Sequence, residues 1–565
     1  MGHARLAILD LSPTGAQPMH DTESGNVIVF NGEIYNFRAL RSELEAKGIR
    51  FRGSGDTETL LMGYRVWREK VVERLKGMFA FVIYDAATGS LLGARDRLGI
   101  KPLYYKADAS GVASIASETR ILRGSAPLHP NRKACADFLR YGFFPSSNLL
   151  NAELREIPAG HFFRVGKDGR FAFEKYWPPR VLKKGTPAGN PVQNIRRLLE
   201  RSVEEHLISD VPVASFLSGG IDSSVITALA AKSIGKRLCT ISVGFKERVF
   251  DETEIAQRVA ERFGTTHLRV ELSENETLEI VREGIDRMDS PSVDALNTYI
   301  VAHTAREHGI KVALSGLGAD ELFGGYPSFH DVPRLMWLAR IPRPAKKAFR
   351  VFGSSGARLA SLPDQADAFL LAHWRRQFWN DEAIAAATGI GRNGDALYPV
   401  NSAPELPDDF ARVSWAELTH YMKDMLLRDS DQMTMAVGLE LRVPFLDHEL
   451  VEYALSLPAK EKLRGKYSKG LLIEACKDLL PGEVYQRRKR GFELPMRQWM
   501  LGPLQDTVRQ GIELLRSFQL FQETWLNKAL DEFRVGKLHW TRIWTLVVLG
   551  FYLQKHAHPA SHHVA

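Results

Sequence analysis

Val211-Pro212-Val213-Ala214-Ser215-Phe216-Leu217, running into Ser218-Gly219-Gly220-Ile221-Asp222-Ser223-Ser224, says most about how the larger part of this chain folds. An apolar run ends on a glycine pair, and DSSVITALAAKSIG (222–235) follows as a helical stretch closed by glycine. Such a junction puts the unpaired N–H groups of a first helical turn, and the positive end of its dipole, at the tip of a buried strand, where an anion is favoured. Gly219 and Gly220 let backbone approach phosphate oxygens, and the hydroxyls of Ser218, Ser223 and Ser224 add donors. Asp222 suits such a site if it holds a magnesium ion. An ordinary strand-to-helix turn capped by Ser or Asp has the same local pattern, so the heptad alone does not decide.

Outward from it, strand and helix signals alternate. TISVGF (240–245) is strand-like, and DETEIAQRVAERFG (251–264) places Ile255, Val259 and Phe263 on one helical stripe. HLRVEL (267–272), a helix over 276–288, a helix from Asn297 to Glu307 and the strand KVALSG (311–316) follow. This alternation predicts an α/β, doubly wound parallel sheet with helices on both faces. Beyond about 331 the chain becomes helix-rich.

A second loop, Ser315-Gly316-Leu317-Gly318-Ala319-Asp320-Glu321-Leu322-Phe323-Gly324-Gly325-Tyr326, begins like a dinucleotide fingerprint, but Glu321 stands at the third glycine position. It is read instead as a second strand end facing the same crevice, so that Asp222 and Asp320 share one magnesium. As a bland alternative, Asp320 caps a helix. No GxxxxGK[ST] loop occurs. Transfer of a γ-phosphate is therefore disfavoured, and cleavage between the α- and β-phosphates with loss of pyrophosphate fits better.

Residues 1–177 have another texture: the short alternating runs LAIL (6–9), NVIVF (26–30), MFAFVIYD (78–85), LLGARD (91–96), GVASIAS (111–117) and GHFFRV (160–165), with helices over about 36–47 and 57–75. They predict α+β structure with stacked sheets. PPRVLKKGTPAGNP (178–191) is the best linker, which leaves 192–555 as the second domain and 556–565 as a flexible tail. Four histidines in that last stretch (His556, His558, His562 and His563) favour a frayed polar tail over a metal site.

SGGIDSS (218–224), SGLGADELFGGY (315–326), MTMAVGLELRVPFLDH (433–448), KYSKGLL (466–472) and RRKRGFELPMRQW (487–499) together resemble the synthetase domain of glutamine-dependent asparagine synthetases. The resemblance implies an aspartate carboxylate adenylated by ATP with magnesium and then captured by ammonia. It further implies that Leu217, Val243, Ser315 and Gly316 line the adenine and ribose pocket. Ser218, Gly219, Gly220, Asp222 and Ser223 would hold the pyrophosphate, Asp222 and Asp320 the metal, and Lys469 the developing charge. On its own, Lys469 reads as a solvated helix lysine. Many members of the family carry an acidic residue where this chain has Leu317, at a position that faces the acyl-adenylate. That keeps open an amide or lactam ligase acting on another acid.

GHARLAILDLS (2–12), FNGEIYNF (30–37), GSGDTE (53–58) and RDRLGIKPLYY (95–105) are similar to the class II glutaminase domain of the same enzymes, an N-terminal-nucleophile-type α-β-β-α sandwich. By that similarity Arg5 clamps the glutamine carboxylate, Asn31 and the Gly32 N–H form an oxyanion hole, and Glu33 and Asp56 take the ammonium group. Asn31-Gly32 is equally a favourable turn dipeptide, and Asp56 equally a helix cap. The family's nucleophile is a cysteine at the chain start. Here Gly2 follows Met1 and the first cysteine is Cys135. The expectation is an amino-terminally truncated, incomplete sandwich with an unpaired sheet edge, and ammonia rather than glutamine as the nitrogen source.

Composition agrees with a globular multidomain protein: 44% hydrophobic and 25% charged over 565 residues. Net charge is +8 and the pI about 9.2, weak support for a polyanionic partner. Arg487-Arg488-Lys489-Arg490 would suit an RNA-modifying enzyme built on the same loop, but sulfur transfer needs paired cysteines, and the three here make no CxxC. A catalytically silent scaffold is disfavoured by the intact Ser218, Asp222, Asp320 and Lys469. The expected partners are therefore small molecules (ATP, aspartate, ammonia or glutamine), with neither nucleic acid nor membrane, and with a homo-oligomer admitted. MGHARLAILDL is no signal peptide, Trp544–Tyr552 is too short to span a bilayer, and the cysteine pattern favours a reducing, cytoplasmic setting.

Overall fold

The computed structural model describes residues 1–107, 113–123, 130–146, 149–151, 153–182, 189–245, 253–364, 366–390, 404–486 and 494–556. The first part of the chain contributes β1 (Met19–His20), β2 (Val27–Ile34), β3 (Gly77–Asp85), β4 (Ser90–Arg95), β5 (Tyr104–Ala107), β6 (Ala113–Ala116), β7 (Leu154–Glu156), β8 (His161–Val165) and β9 (Phe171–Lys175). Six of these form an antiparallel sheet in the order β1-β2-β3-β4-β8-β9, and β6-β5-β7 form a smaller one. The period-2 alternation of β3 explains the stacking. Phe79, Phe81 and Ile83 point into a core shared with the helices Phe37–Ala46 and Asp56–Trp67, while Ala80 and Val82 pack on the other side with Leu103, Ile157, Phe163 and Val165.

Two expectations fail locally. LAIL (6–9) forms no strand; its backbone serves as a bracket for Arg5, whose Nη2 donates to the carbonyls of Leu9 (2.8 Å) and Asp10 (2.7 Å). The helix expected over 57–75 stops at Trp67, because Arg68 takes a left-handed φ of +53°, and resumes as a 3-10 turn and a short helix at Val71–Arg74. The sheet edge expected to be unpaired is partly covered. β1 covers only Val27 and Ile28, and the Gln17 side-chain amide then takes the place of a neighbouring strand, pairing with both the N–H (2.7 Å) and the carbonyl (3.1 Å) of Phe30.

The second part is a parallel sheet of β10 (Val213–Phe216), β11 (Cys239–Phe245), β12 (Thr266–Leu272), β13 (Val312–Leu314) and β14 (Glu440–Arg442), in the order β12-β11-β10-β13-β14. The chain leaves β10 for β11 and β12 on one side, then returns to add β13 and β14 on the other. Strand order therefore reverses at β10 and β13, the crevice where ligands bind in open α/β sheets. Both faces are covered: Val213, Val312 and Leu314 join the large core with the helix Ile221–Ile234, while Ala214, Ile241, Ala313 and Leu441 pack with Ala305 of the helix Ala295–Glu307.

The segment expected as a linker is pinned where it is described. Trp177 Nε1 and the Arg180 N–H both donate to Glu452, at 2.7 and 3.1 Å, and the Leu182 N–H donates to Ser456 Oγ at 3.0 Å. Its end is helical: Asn190 caps, and Pro191 begins, the helix Pro191–His206. Residues 183–188, the basic run 487–490 and the tail histidines beyond His556 lie outside the described residues. No described helix is long and apolar enough to cross a membrane.

Candidate nucleotide and acyl-transfer site

The two loops meet at the switch point. Leu217, buried, continues β10 by donating its N–H to the Ile241 carbonyl (2.9 Å). Gly219 then turns the chain with φ +74°, a conformation other residues resist, and Gly220 stands at the N-cap of Ile221–Ile234 with no side-chain cap. The serines fold the loop onto itself. Ser218 Oγ lies 3.1 Å from Ser223 Oγ, and Ser223 Oγ donates to the Gly220 carbonyl at 3.2 Å. Asp222 lies in the helix's first turn.

From β13, the Ser315 N–H reaches across to the Arg442 carbonyl on β14 (2.8 Å), and Ser315 Oγ accepts from the Leu317 N–H (3.3 Å). Gly316 allows the loops to touch: a Cβ there would sit 2.8 Å from Asp222 Cβ and 2.9 Å from the Ser223 nitrogen. Asp320 begins the short helix Ala319–Phe323 together with Ala319, and Gly325 forms a wall beside it, since a Cβ on Gly325 would meet Asp320 Oδ1 and Lys469 Cε. Val243, at the same end of β11, is half-buried.

Lys469 closes the site. Its backbone is left-handed (φ +59°) immediately before the helix Gly470–Cys476, and its side chain is only 2% exposed. Nζ lies 2.6 and 2.5 Å from the two Asp222 carboxylate oxygens and 2.7 Å from Asp320 Oδ1. The solvated-lysine reading is thereby excluded. Burial works against the ammonium, but the Asp222 and Asp320 carboxylates outweigh it and lift the pKa to about 12. Two carboxylates from two strand ends thus converge on one cation. Carboxylate oxygens are also what a hard divalent ion takes, so Asp222 and Asp320 are the residues here that could hold one. Among the described residues there is no group of three or more His, Cys, Asp and Glu side chains arranged to hold a metal.

The glutamine-pocket candidates are distributed differently. Asn31 and Gly32 lie inside β2, opposite Ala80 and Phe79, which rules out the turn alternative. Gly32 has φ +139° and leaves no room for a side chain beside the Met78 carbonyl. Asp56 is the first residue of its helix rather than its cap, and accepts the Ile34 N–H on Oδ2 at 2.9 Å. Burial raises its pKa to about 6. Glu33 turns toward the second part of the chain, where its Oε1 lies 3.1 Å from Nη2 of the fully buried Arg442. Burial raises the Glu33 pKa well above the usual carboxylate range against the pull of that guanidinium.

Arg442 lies within MTMAVGLELRVPFLDH, yet nothing in that motif assigns it a role. Its Nη1 donates to the carbonyls of His206 (2.7 Å) and Ile208 (2.6 Å), and its Nε to Glu440 (2.9 Å). Through its backbone carbonyl it also fixes Ser315. Sequence alone gives no signal for such a bridge, because its partners lie far apart along the chain.

Of the three cysteines, Cys135 and Cys476 are buried, with thiols pushed up to about 12 by that burial, and Cys239 is half-buried and also raised. None is a ready thiolate.

A family model described as asparagine synthase matches residues 194–556, and one described as a glutamine amidotransferase domain matches 1–177. "Asparagine synthetase [glutamine-hydrolyzing] 1" of Bacillus subtilis is 32% identical over 97% of this chain and 88% of its own length. A "Putative asparagine synthetase [glutamine-hydrolyzing]" of Mycobacterium bovis is 33% identical over 97% and 87%. More distant is "Amidase chry2" of Gibberella zeae, 28% identical over 90% of this chain and 83% of its own. With the strand-end loops and their shared lysine, these matches place the chain in the asparagine synthase family, as an ATP-dependent amide ligase joined to a glutamine amidotransferase domain.

Proposed function

We propose that the chain converts aspartate to asparagine through an acyl-adenylate. A carboxylate oxygen of aspartate attacks the α-phosphorus of ATP and pyrophosphate leaves. Ammonia then attacks the acyl carbon and AMP leaves, with one proton passing to solvent. The observation that carries this reading is the convergence of Lys469 on Asp222 and Asp320, at loops that offer glycines and hydroxyls but no Walker lysine. A lysine held near pKa 12 does not act as a base at neutral pH. It remains a fixed cation that compensates charge developing on the phosphates. Magnesium, held by Asp222 and Asp320, would neutralise the departing pyrophosphate. Ser218, Gly219, Gly220 and Ser223 would bind its oxygens, with Leu217, Val243, Ser315 and Gly316 around the nucleoside.

Phosphorus NMR of the products tests this: AMP and pyrophosphate are expected, formed only when a carboxylic acid is supplied, and ADP would refute it. Ammonia, free or released from glutamine at the amidotransferase domain, is the expected nitrogen source. Amide formation with ammonium, and glutamate release when glutamine is supplied in its place, test the two routes.

A second reading, an amide or lactam ligase for another acid, has one observation in its favour. Leu317, half-buried against the apolar cluster of Ala214, Ile241, Ala313 and Leu441, brings no charge to the acyl side of the site. A screen of small carboxylic acids by pyrophosphate release separates the two.

A further inference from the structure

One strand of the first sheet has no role in the chemistry above and is open along its outer side. Among the described residues β9 (Phe171–Lys175) pairs with β8 alone, and Ala172, Phe173, Glu174 and Lys175 are all exposed. The hairpin register sets Val165 against Phe171, Phe163 against Phe173 and His161 against Lys175. Two flanking bonds, from the Gly166 N–H to the Arg170 carbonyl (3.3 Å) and from the Tyr176 N–H to the Gly160 carbonyl (3.0 Å), fix the phase of the ladder. The even-numbered residues of β9 are the ones that exchange hydrogen bonds with β8. Phe171, Phe173 and Lys175 therefore turn their N–H and carbonyl groups outward, a ready template for another strand.

The two faces of β9 differ. Phe171 and Phe173 lie toward the smaller sheet. Their rings stack at 5.6 Å, and Phe171 lies 4.4 Å from the ring of Tyr105 on β5 and 5.5 Å from that of Phe163 on β8. Phe173 nevertheless stays 39% exposed. Alternation puts Arg170, Ala172 and Glu174 on the other face. Their charges are loosely held, Arg170 at 3.6 Å from Asp168 and Glu174 at 3.4 Å from Arg164, both pairs open to solvent. Arg170-Phe171-Ala172-Phe173-Glu174 is complementary to itself when read antiparallel: charge meets opposite charge and ring meets ring about Ala172.

We propose that β9 pairs with β9 of a second copy of this chain, antiparallel about a two-fold axis at Ala172. In that register Phe171 of each copy exchanges hydrogen bonds with Phe173 of the other, using the groups that β8 leaves open. The phenyl rings of both copies then share one face and extend the aromatic cluster, while Arg170 of each copy stands opposite Glu174 of the other. The neighbouring registers that use the same outward groups are worse. With the axis at Phe173, Phe171 meets Lys175 and Arg170 loses Glu174. With the axis at Glu174, two glutamates face each other, and with the axis at Phe171, Glu174 faces Asp168. A second copy supplies the matching order by symmetry, which an unrelated strand does not. The other edges of the two large sheets offer no such match. β1 has two residues, β14 is buried, and on β12 the charges of Arg269 and Glu271 close on each other at 2.6 Å.

The test is sedimentation velocity of the full chain over a series of concentrations, with a dimer expected to build up as concentration rises. Arg170→Glu sets like charges opposite each other at both ionic pairs, and Glu174→Arg does the same, so each should weaken the dimer roughly tenfold or more. Mixed in equal amounts, the two variants should form a heterodimer about as tight as the original dimer, because each supplies the charges that the other lacks. In the unaltered chain, hydrogen exchange at the Phe171 and Phe173 N–H groups should slow as the dimer forms. Exchange at Ala172 and Glu174, whose N–H groups already pair with β8, should stay as it is. Pyrophosphate release by either variant should match that of the unaltered chain. A chain that is monomeric at every concentration, a dimer indifferent to both substitutions, or a mixture of the two variants that fails to associate would overturn the proposal.

Discussion

Lys462 and Lys469 are neighbours in sequence, both inside the protein at 0% and 2% exposure, and their environments are opposite. Lys469 is gripped by Asp222 and Asp320 and titrates near 12. Lys462 ends 4.7 Å over the ring of Phe410 with no hydrogen-bond partner for Nζ among the described residues, and burial pushes its pKa down to about 7 despite the influence of Asp408. Burial is therefore not what marks a working lysine; the carboxylates are. A fixed ammonium between two aspartates costs stability that an apolar side chain would not, so its persistence at two strand ends points to charge chemistry. A half-neutral amine over a phenyl ring points to packing.

The largest expected effect tests that contrast directly. Lys469→Met should reduce turnover by roughly 10³, the scale seen when one preorganised charge-stabilising donor is removed. It should also destabilise the fold by about 3–5 kcal/mol, because Asp222 and Asp320 are left facing each other. Lys469→Arg should not rescue, since Gly325 walls the site at Lys469 Cε and a planar guanidinium is larger than the ammonium it replaces. Pyrophosphate release and thermal melting measure the two losses. Normal turnover in the Lys469→Met variant would reduce the cluster to a structural ion pair.

Lys462→Met should do the reverse, raising stability and leaving turnover alone. The folded pKa of about 7 lies below the unfolded value of 10.5, so the unfolded state binds the proton more tightly. Stability linked to Lys462 is present above the unfolded pKa and is lost as pH falls toward 7. At about 1.4 kcal/mol per pKa unit, the gain at neutral pH is several kcal/mol at most. The unaltered protein should stabilise as pH rises from about 7 to about 10.5, and the Lys462→Met variant should lose that slope. A variant less stable at every pH would mean that the amine has a partner that matters.

The same contrast explains what the sequence made readable. Lys469 stands in KYSKGLL, Asp222 and Asp320 in glycine-rich strand ends, and each belongs to a short pattern whose chemistry is local. The parallel sheet was legible for the same reason: apolar runs, helical stripes and glycine punctuation all lie close to one another along the chain. What was missed is non-local. LAIL carries strand composition but runs into Asp10, whose N–H donates to Asp210 Oδ2 (2.8 Å) across the chain. The Glu33–Arg442 pair joins residues from the two parts of the chain in a bridge to β14 that no local pattern announces. Lys462, in AKEKLRG, looks like any solvated helix lysine until Phe410 covers it.

The smallest expected effect concerns Glu321, beside Asp320, and asks whether a buried acid behaves as Lys462 does. Glu321 is fully buried, accepts a hydrogen bond from Tyr326 Oη on Oε1 at 2.7 Å, and is pushed up to about 8 by burial and by the neighbouring Asp320 charge. At neutral pH it is mostly a neutral acid in the folded state but ionised in the unfolded chain, so Glu321→Gln, neutral in both, should leave turnover unchanged and raise stability at pH 7 by about 3 kcal/mol at most, less than Lys462→Met. The folded pKa is raised, so the stability linked to Glu321 is present below its unfolded value near 4.5 and is lost as pH rises through 8. This slope is opposite in sign to that of Lys462 and falls in an adjoining window. Denaturation midpoints measured across both windows should therefore separate the variants: Glu321→Gln flattens the acid side and Lys462→Met the alkaline side. If Glu321→Gln instead costs more than about 3 kcal/mol at neutral pH, the carboxyl is charged there and bound to a cation, and Glu321 belongs with Asp222 and Asp320 in the working site.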